Sequence, residues 1–130
     1  MKKLFYPAIF ETEDNGFSVY FPDLQGCNSC GDTLEEAYQM AAESLGLMIS
    51  YLRDEKKELP APSNPTNIKV EGNQVIVIVE LDYMEYLKKH ESKAVKKTLT
   101  IPSWLNEEAI SAGVNFSQIL QEALMLKLNK

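Results

Sequence analysis

Histidine occurs once in this 130-residue chain, at His90, cysteine twice and tryptophan once, and each scarcity removes a class of chemistry. Cys27 and Cys30 form a C-x-x-C pair, but a structural zinc site takes about four ligands, and there is neither a second cysteine pair nor a second histidine. A thioredoxin-type pair opens a helix after a buried strand, whereas Asn28 and Ser29 read as part of a glycine-bounded loop. With one histidine, no Ser, His and Asp set suggests itself. Nor does any apolar run approach the roughly 20 residues needed to cross a bilayer. Met1-Lys2-Lys3-Leu4 leads into alternating residues instead of the apolar block of a signal peptide. The expectation is a soluble cytoplasmic chain with no membrane contact, no metal and no cofactor.

What is present suits a real core, since 45% of the residues are hydrophobic. The formal net charge of −6 is unevenly placed. Residues 1–90 carry 8 basic against 15 acidic side chains, and residues 91–130 carry 5 against 4. A solvated acidic surface with no partner is the plain reading of that split. The sharper reading is a body that faces a basic partner and a tail that approaches phosphates.

Taken in order, Leu4–Glu11 is apolar on both alternations and reads as a central strand covered on two faces. Glu13-Asp14-Asn15-Gly16 is a turn in which Asn-Gly tolerates the positive φ of a tight hairpin, and Phe17–Phe21 is the return strand. Pro22 ends it, and Asp23–Asp32 reads as a loop. A helix starts at Thr33, where Thr33 and Glu36 form a capping box, and Leu34, Ala37, Ala41, Leu45, Met48 and Leu52 mark its apolar stripe. Three prolines between Pro60 and Pro65 impose an extended connector. Ile68–Val70 fits a short strand and Val75–Leu81 a long one, apolar on both faces and so expected inside the sheet. Asp82 then caps a helix running to about Glu91.

The tail has one strand, Val95–Ile101, followed by helices at Ser103–Ala112 and Asn115–Leu128 with Gly113 between them. A lone strand leaves its backbone donors and acceptors unpaired, so a second copy of the chain is its natural partner. Ile119, Leu120, Ala123, Leu124 and Leu128 are expected as a buried stripe facing Trp104, Leu105 and Ile110. This order resembles the ribbon-helix-helix family, in which two chains pair the strand antiparallel and lay it in the DNA major groove. The resemblance implies that Lys96, Thr98 and Thr100 face the bases, and that Val95, Leu99 and Ile101 face inward. Lys97 falls where an apolar residue is usual, and its long stem lets it snorkel to a phosphate. The start of the second helix, with Asn115 and Ser117, would hold a phosphate in that family; either residue serves equally as an ordinary cap.

The front of the chain carries a second resemblance. Tyr6-Pro7-Ala8-Ile9-Phe10, Gly16-Phe17-Ser18-Val19 and the run from Phe21-Pro22-Asp23-Leu24-Gln25-Gly26 through Gly31-Asp32-Thr33 to Ala37 resemble the HicB antitoxins. These join a truncated RNase H-like domain to a helix-turn-helix or ribbon-helix-helix tail. The fold implied is α+β: a small sheet with one packed helix over residues 1–90, and a ribbon-helix-helix dimerisation domain over residues 91–130.

RNase H-type nucleases gather carboxylates on neighbouring elements to hold two metal ions. Leu4–Phe10 and Val75–Val79 carry no acid, and Asp23 and Asp32 read as a turn former and a helix-start residue. The resemblance therefore implies an inhibitor and not an enzyme: a HicA-like RNA-cleaving toxin as partner, operator DNA as a second ligand, and a homodimer that contacts of the first domain can extend to a higher oligomer. Loops carry binding more often than cores, so Asp23, Leu24, Gly26 and Asn28 are the candidate toxin contacts. The competing reading is a stand-alone ribbon-helix-helix regulator without a toxin partner.

Overall fold

The computed structural model describes residues 3–90 and 93–130, in which the chain forms two compact units, Met1–Lys93 and Ala94–Lys130. The expected helix end at Glu91, and Met1 and Lys2, lie outside the described residues.

In the first unit, β1 (Lys3–Glu13) pairs antiparallel with β2 (Gly16–Tyr20) on one side and with β4 (Gln74–Asp82) on the other. It is the central strand its two-sided apolar pattern predicts. Pro7 falls two residues before pairing with β2 begins at Ile9, where β1 is laddered only to β4, so its missing donor is tolerated. The hairpin centres on Asp14 and Asn15, and Gly16 (φ 152°) starts β2. Asn15 thus stays out of the positive-φ region, and the glycine serves a different need. A Cβ on Gly16 would lie 2.4 Å from the carbonyl oxygen of Gly31.

Asn28–Gly31, expected as loop, is the edge strand β3, paired with β2 through Val19↔Ser29 and Ser18↔Cys30. Asn-Ser-Cys-Gly has weak strand propensity, and the adjacent ladder and the helix above it impose the conformation. The sheet order is β3-β2-β1-β4. β4 is therefore an edge strand, which corrects the expectation that it lies inside the sheet. Ile68–Val70 is not a strand; it follows a 3₁₀ turn at Pro65–Asn67.

Helix α1 (Leu34–Asp54) crosses one face of the sheet. The Thr33 side chain accepts from the Glu36 amide at 3.1 Å, and Glu36 reaches back to the Asp32 amide at 3.2 Å, one residue before the position expected. Ala37, Ala41, Leu45 and Ile49 are fully buried against Tyr6, Ala8, Phe10, Val19 and Val79. Ile49 was not anticipated in the stripe, and Leu34, which was, is exposed in the first turn. A buried Leu or Ile of this kind contributes roughly 1.5–3 kcal/mol. Helix α2 (Tyr83–His90) starts where Asp82 accepts from the Glu85 amide at 3.2 Å, and it is tied to α1 by Lys89 and His90 against Glu43, at 3.5 and 3.0 Å.

Gly31 sits where β3 turns into α1, and a Cβ there would meet the Ala37 amide nitrogen at 2.4 Å and its Cα at 2.7 Å. Backbone cannot yield as a flexible side chain does. Gly31→Ala is expected to lose about 1–3 kcal/mol or more, read as a lower urea midpoint. Gly72→Ala, with nothing within 4 Å of the added atom, should stay near the wild-type value.

The second unit holds α3 (Ser103–Ser111) and α4 (Phe116–Leu128), joined through Gly113 at φ 69° as expected. Its anticipated buried stripe is not buried. Ile119, Leu124, Leu128, Trp104, Leu105 and Ile110 are all exposed, and no residue of this unit is buried. Val95–Ile101 forms no ladder in the single chain, because a strand is defined by a partner and none is present.

Candidate functional site

Two surfaces hold the residues singled out from the sequence. The first follows β2. Phe21, Leu24 and Cys27 are buried at intervals of three, with the Leu24 amide donating to the Phe21 carbonyl at 3.1 Å and that of Cys27 to Leu24 at 3.0 Å. This spacing turns Leu24 into the core under α1 at 3% exposure, so it anchors the loop and offers no surface. The Asp23 carboxylate accepts from the Ser63 amide at 2.8 Å and from the Ser63 hydroxyl, which straps the proline connector across the loop. The Tyr6 hydroxyl donates to the Pro60 carbonyl at 2.5 Å and fastens the same connector. Burial, and then the Asp23 charge, push the Tyr6 phenol above its ordinary range, which keeps it a donor.

Gly26, at φ 85°, and Asn28, the first residue of β3, are the exposed members of the predicted set. They border an open groove of about 450 Å³, lined also by Ser44, Leu47 and Tyr51, whose floor is set by the Ser44 hydroxyl donating to the Asn28 carbonyl at 2.8 Å. Burial pushes the Cys27 thiol up to about 11, so it stays protonated and unreactive near neutral pH, while Cys30 is exposed on β3.

What sequence reading missed lies on the sheet. Phe5 and Ile78, read as interior, and Tyr20 of the return strand stand 48%, 42% and 39% exposed. Apolar residues on both alternations of a strand signal two covered faces, and the covering element need not belong to the same chain.

The second surface is the tail. Lys96, Thr98 and Thr100 are all exposed, on the same segment as exposed Val95, Leu99 and Ile101. Asn115 is the cap of α4: its side-chain oxygen accepts from the Gln118 amide at 3.0 Å. The amides of Phe116 and Ser117 precede the first intrahelical bond, and the first turn carries no acid. That leaves the positive end of α4 open to an anion.

Residues 6–123 match the family described as HicB_like antitoxin of bacterial toxin-antitoxin system. A chain from a toxin-antitoxin complex of Streptococcus pneumoniae superimposes with a TM-score of 0.62 at 31% identity, over 96% of this chain and 99% of that one. A chain of a HicA3 and HicB3 toxin-antitoxin complex gives a TM-score of 0.53 at 28% identity, over 61% of this chain and 99% of that one. Antitoxin HicB 2 of Photorhabdus laumondii is 36% identical over 70 residues, which are 54% of this chain and 50% of that protein. The chain thus spans half the length of that curated relative. With the family match running from the central strand of the sheet into the last helix, the chain belongs to the HicB-like antitoxin family of bacterial toxin-antitoxin systems.

Proposed function

We propose that this antitoxin binds and inhibits a HicA-like RNA-cleaving toxin through its first unit, and that its tail dimerises as a ribbon-helix-helix domain and binds operator DNA, repressing its own operon in the cytoplasm. The observation that carries the second half is the absence of any buried residue in Ala94–Lys130, beside exposed Val95, Leu99, Ile101, Trp104, Phe116 and Leu124. Such a unit gains stability only by covering those side chains, at roughly 25 cal/mol per Å². Antiparallel pairing of two Val95–Ile101 segments would supply both the missing ladder and the start of that cover.

The solved relatives support the toxin half, since two of them are chains of toxin-antitoxin complexes. Charge supports it as well. A protein that grips RNA phosphates is basic, and residues 1–90 carry 8 basic against 15 acidic side chains. In this reading Gly26 and Asn28 meet the toxin directly, and Asp23 and Leu24 hold their loop in place. On the DNA side, Lys96, Thr98 and Thr100 enter the groove, and the start of α4 at Asn115 and Ser117 holds a phosphate.

Co-expression with the product of a small adjacent gene of basic composition, followed by pull-down and an RNA-cleavage assay, tests the assignment. Stoichiometric capture and loss of cleavage at equimolar antitoxin are expected. Operator binding without any captured toxin would favour a stand-alone regulator.

A further inference from the structure

The strand register divides the sheet into two faces, and the helices of the first unit occupy one of them. Tyr6, Ala8 and Phe10 of β1 stand opposite Val79, Val77 and Val75 of β4, and all of these but Val75, which is exposed, pack into the core under α1. The alternate residues make the other face: Phe5, Pro7 and Ile9 of β1, Ile76 and Ile78 of β4, and Tyr20 of β2. Side-chain contacts agree with that division. Lys3 pairs with Glu80 at 2.9 Å, Gln74 donates to Glu11 at 2.8 Å and Ser18 donates to Glu13 at 2.5 Å, each joining two residues of this second face.

Its centre is apolar. Pro7 and Ile9 are buried between neighbours, while Phe5, Tyr20 and Ile78 remain well exposed. Its margin is acidic, with Glu11, Glu13, Glu80 and Asp82 against one basic residue, Lys3, already paired with Glu80. Asn28 and Cys30 bring β3 into the same face, so it runs to one of the proposed toxin contacts. Beside it, β4 is an edge strand with no Pro or Lys between Gln74 and Asp82 to block pairing.

We propose that this open sheet face is the principal docking surface for the toxin, with the apolar centre excluding water and the acidic margin meeting a basic, phosphate-gripping surface. The inference rests on the toxin-inhibitor reading of the first unit. It shifts the main contact from the loop before β3 to the face that β3 borders. A nucleic acid is disfavoured as occupant by the four carboxylates, and a second copy of the chain by the like charges the two margins would bring together.

The test uses the full chain and a catalytically disabled form of the adjacent basic gene product. Tyr20→Lys with Ile78→Lys places two cations on the face at exposed positions. Toxin affinity should fall at least 100-fold, with operator binding and the melting temperature unchanged. Wild-type affinity in that variant would overturn the proposal, as would a halved mass in light scattering with toxin binding intact, which would assign the face to a second copy. A measurement without mutation covers the case of a variant that does not fold. Cys30 is exposed on this face and Cys27 is buried, so saturating toxin should slow alkylation of Cys30 by iodoacetamide at least tenfold. Unchanged alkylation despite tight binding would overturn the docking face alone, whereas no binding by the wild-type chain would overturn the toxin reading with it.

Discussion

Thr98→Ala combined with Thr100→Ala is expected to weaken operator binding by about 1000-fold and to leave toxin inhibition unchanged. Each good base contact in the major groove is worth roughly 1–3 kcal/mol. Two chains present two threonines each, so the double variant removes four contacts. At the low end of about 1 kcal/mol apiece this is about 4 kcal/mol, near three powers of ten in affinity. Both threonines are exposed in the single chain, so their removal opens no cavity. Lys97→Ala should differ in kind. A lysine on a phosphate contributes through counterion release, so its loss flattens the salt dependence of binding by about one unit per contact and weakens all sequences alike. Gel shifts at several salt concentrations separate the two. If the threonine variant also lost toxin inhibition, the division of labour between the two units would be wrong.

That division bears on how much of the molecule the sequence discloses. Local chemistry was legible wherever a side chain acts on its own backbone. The Thr33 cap, the Asp82 cap and the Gly113 turn were named from the sequence, and each is present. Legibility fails where the deciding contact is remote. Asn28–Gly31 is a strand because β2 and α1 flank it, and no pattern within four polar and small residues announces that. Val75–Val79 reads as interior because alternation reports apolar faces but not their cover, and β4 proves to be an edge. Asp23 reads as a turn former and candidate toxin contact, but its partner, Ser63, lies 40 residues away on a connector whose path no local rule fixes. The candidate site divides in the same way. Gly26 is displayed by the loop and Asn28 by the start of β3, Leu24 is consumed by the core, and Phe5, Tyr20 and Ile78 emerge only once the sheet order is known.

A chain ending at Lys93 should stay folded, lose specific operator binding and keep toxin inhibition. Every buried side chain of the described residues lies at or before Tyr83, so the deletion takes nothing from the core that Phe10, Leu45, Ile49 and Val79 share. The change in unfolding free energy should therefore stay within about 0.5 kcal/mol, the range of surface changes. Removing Ala94–Lys130 also removes the exposed apolar residues proposed to form the dimer, so light scattering should report a smaller assembly, and toxin inhibition would then require one chain per toxin with no help from avidity. On DNA the loss should reach the full specificity ratio of about 1000-fold or more, because what remains carries 16 acidic against 9 basic side chains and repels phosphate. Undiminished DNA binding would move that site into the first unit. A folded truncation that no longer protects RNA from the toxin would instead place the inhibitory contact on the tail, and with it the exposed apolar surface that here is assigned to a second copy of the chain.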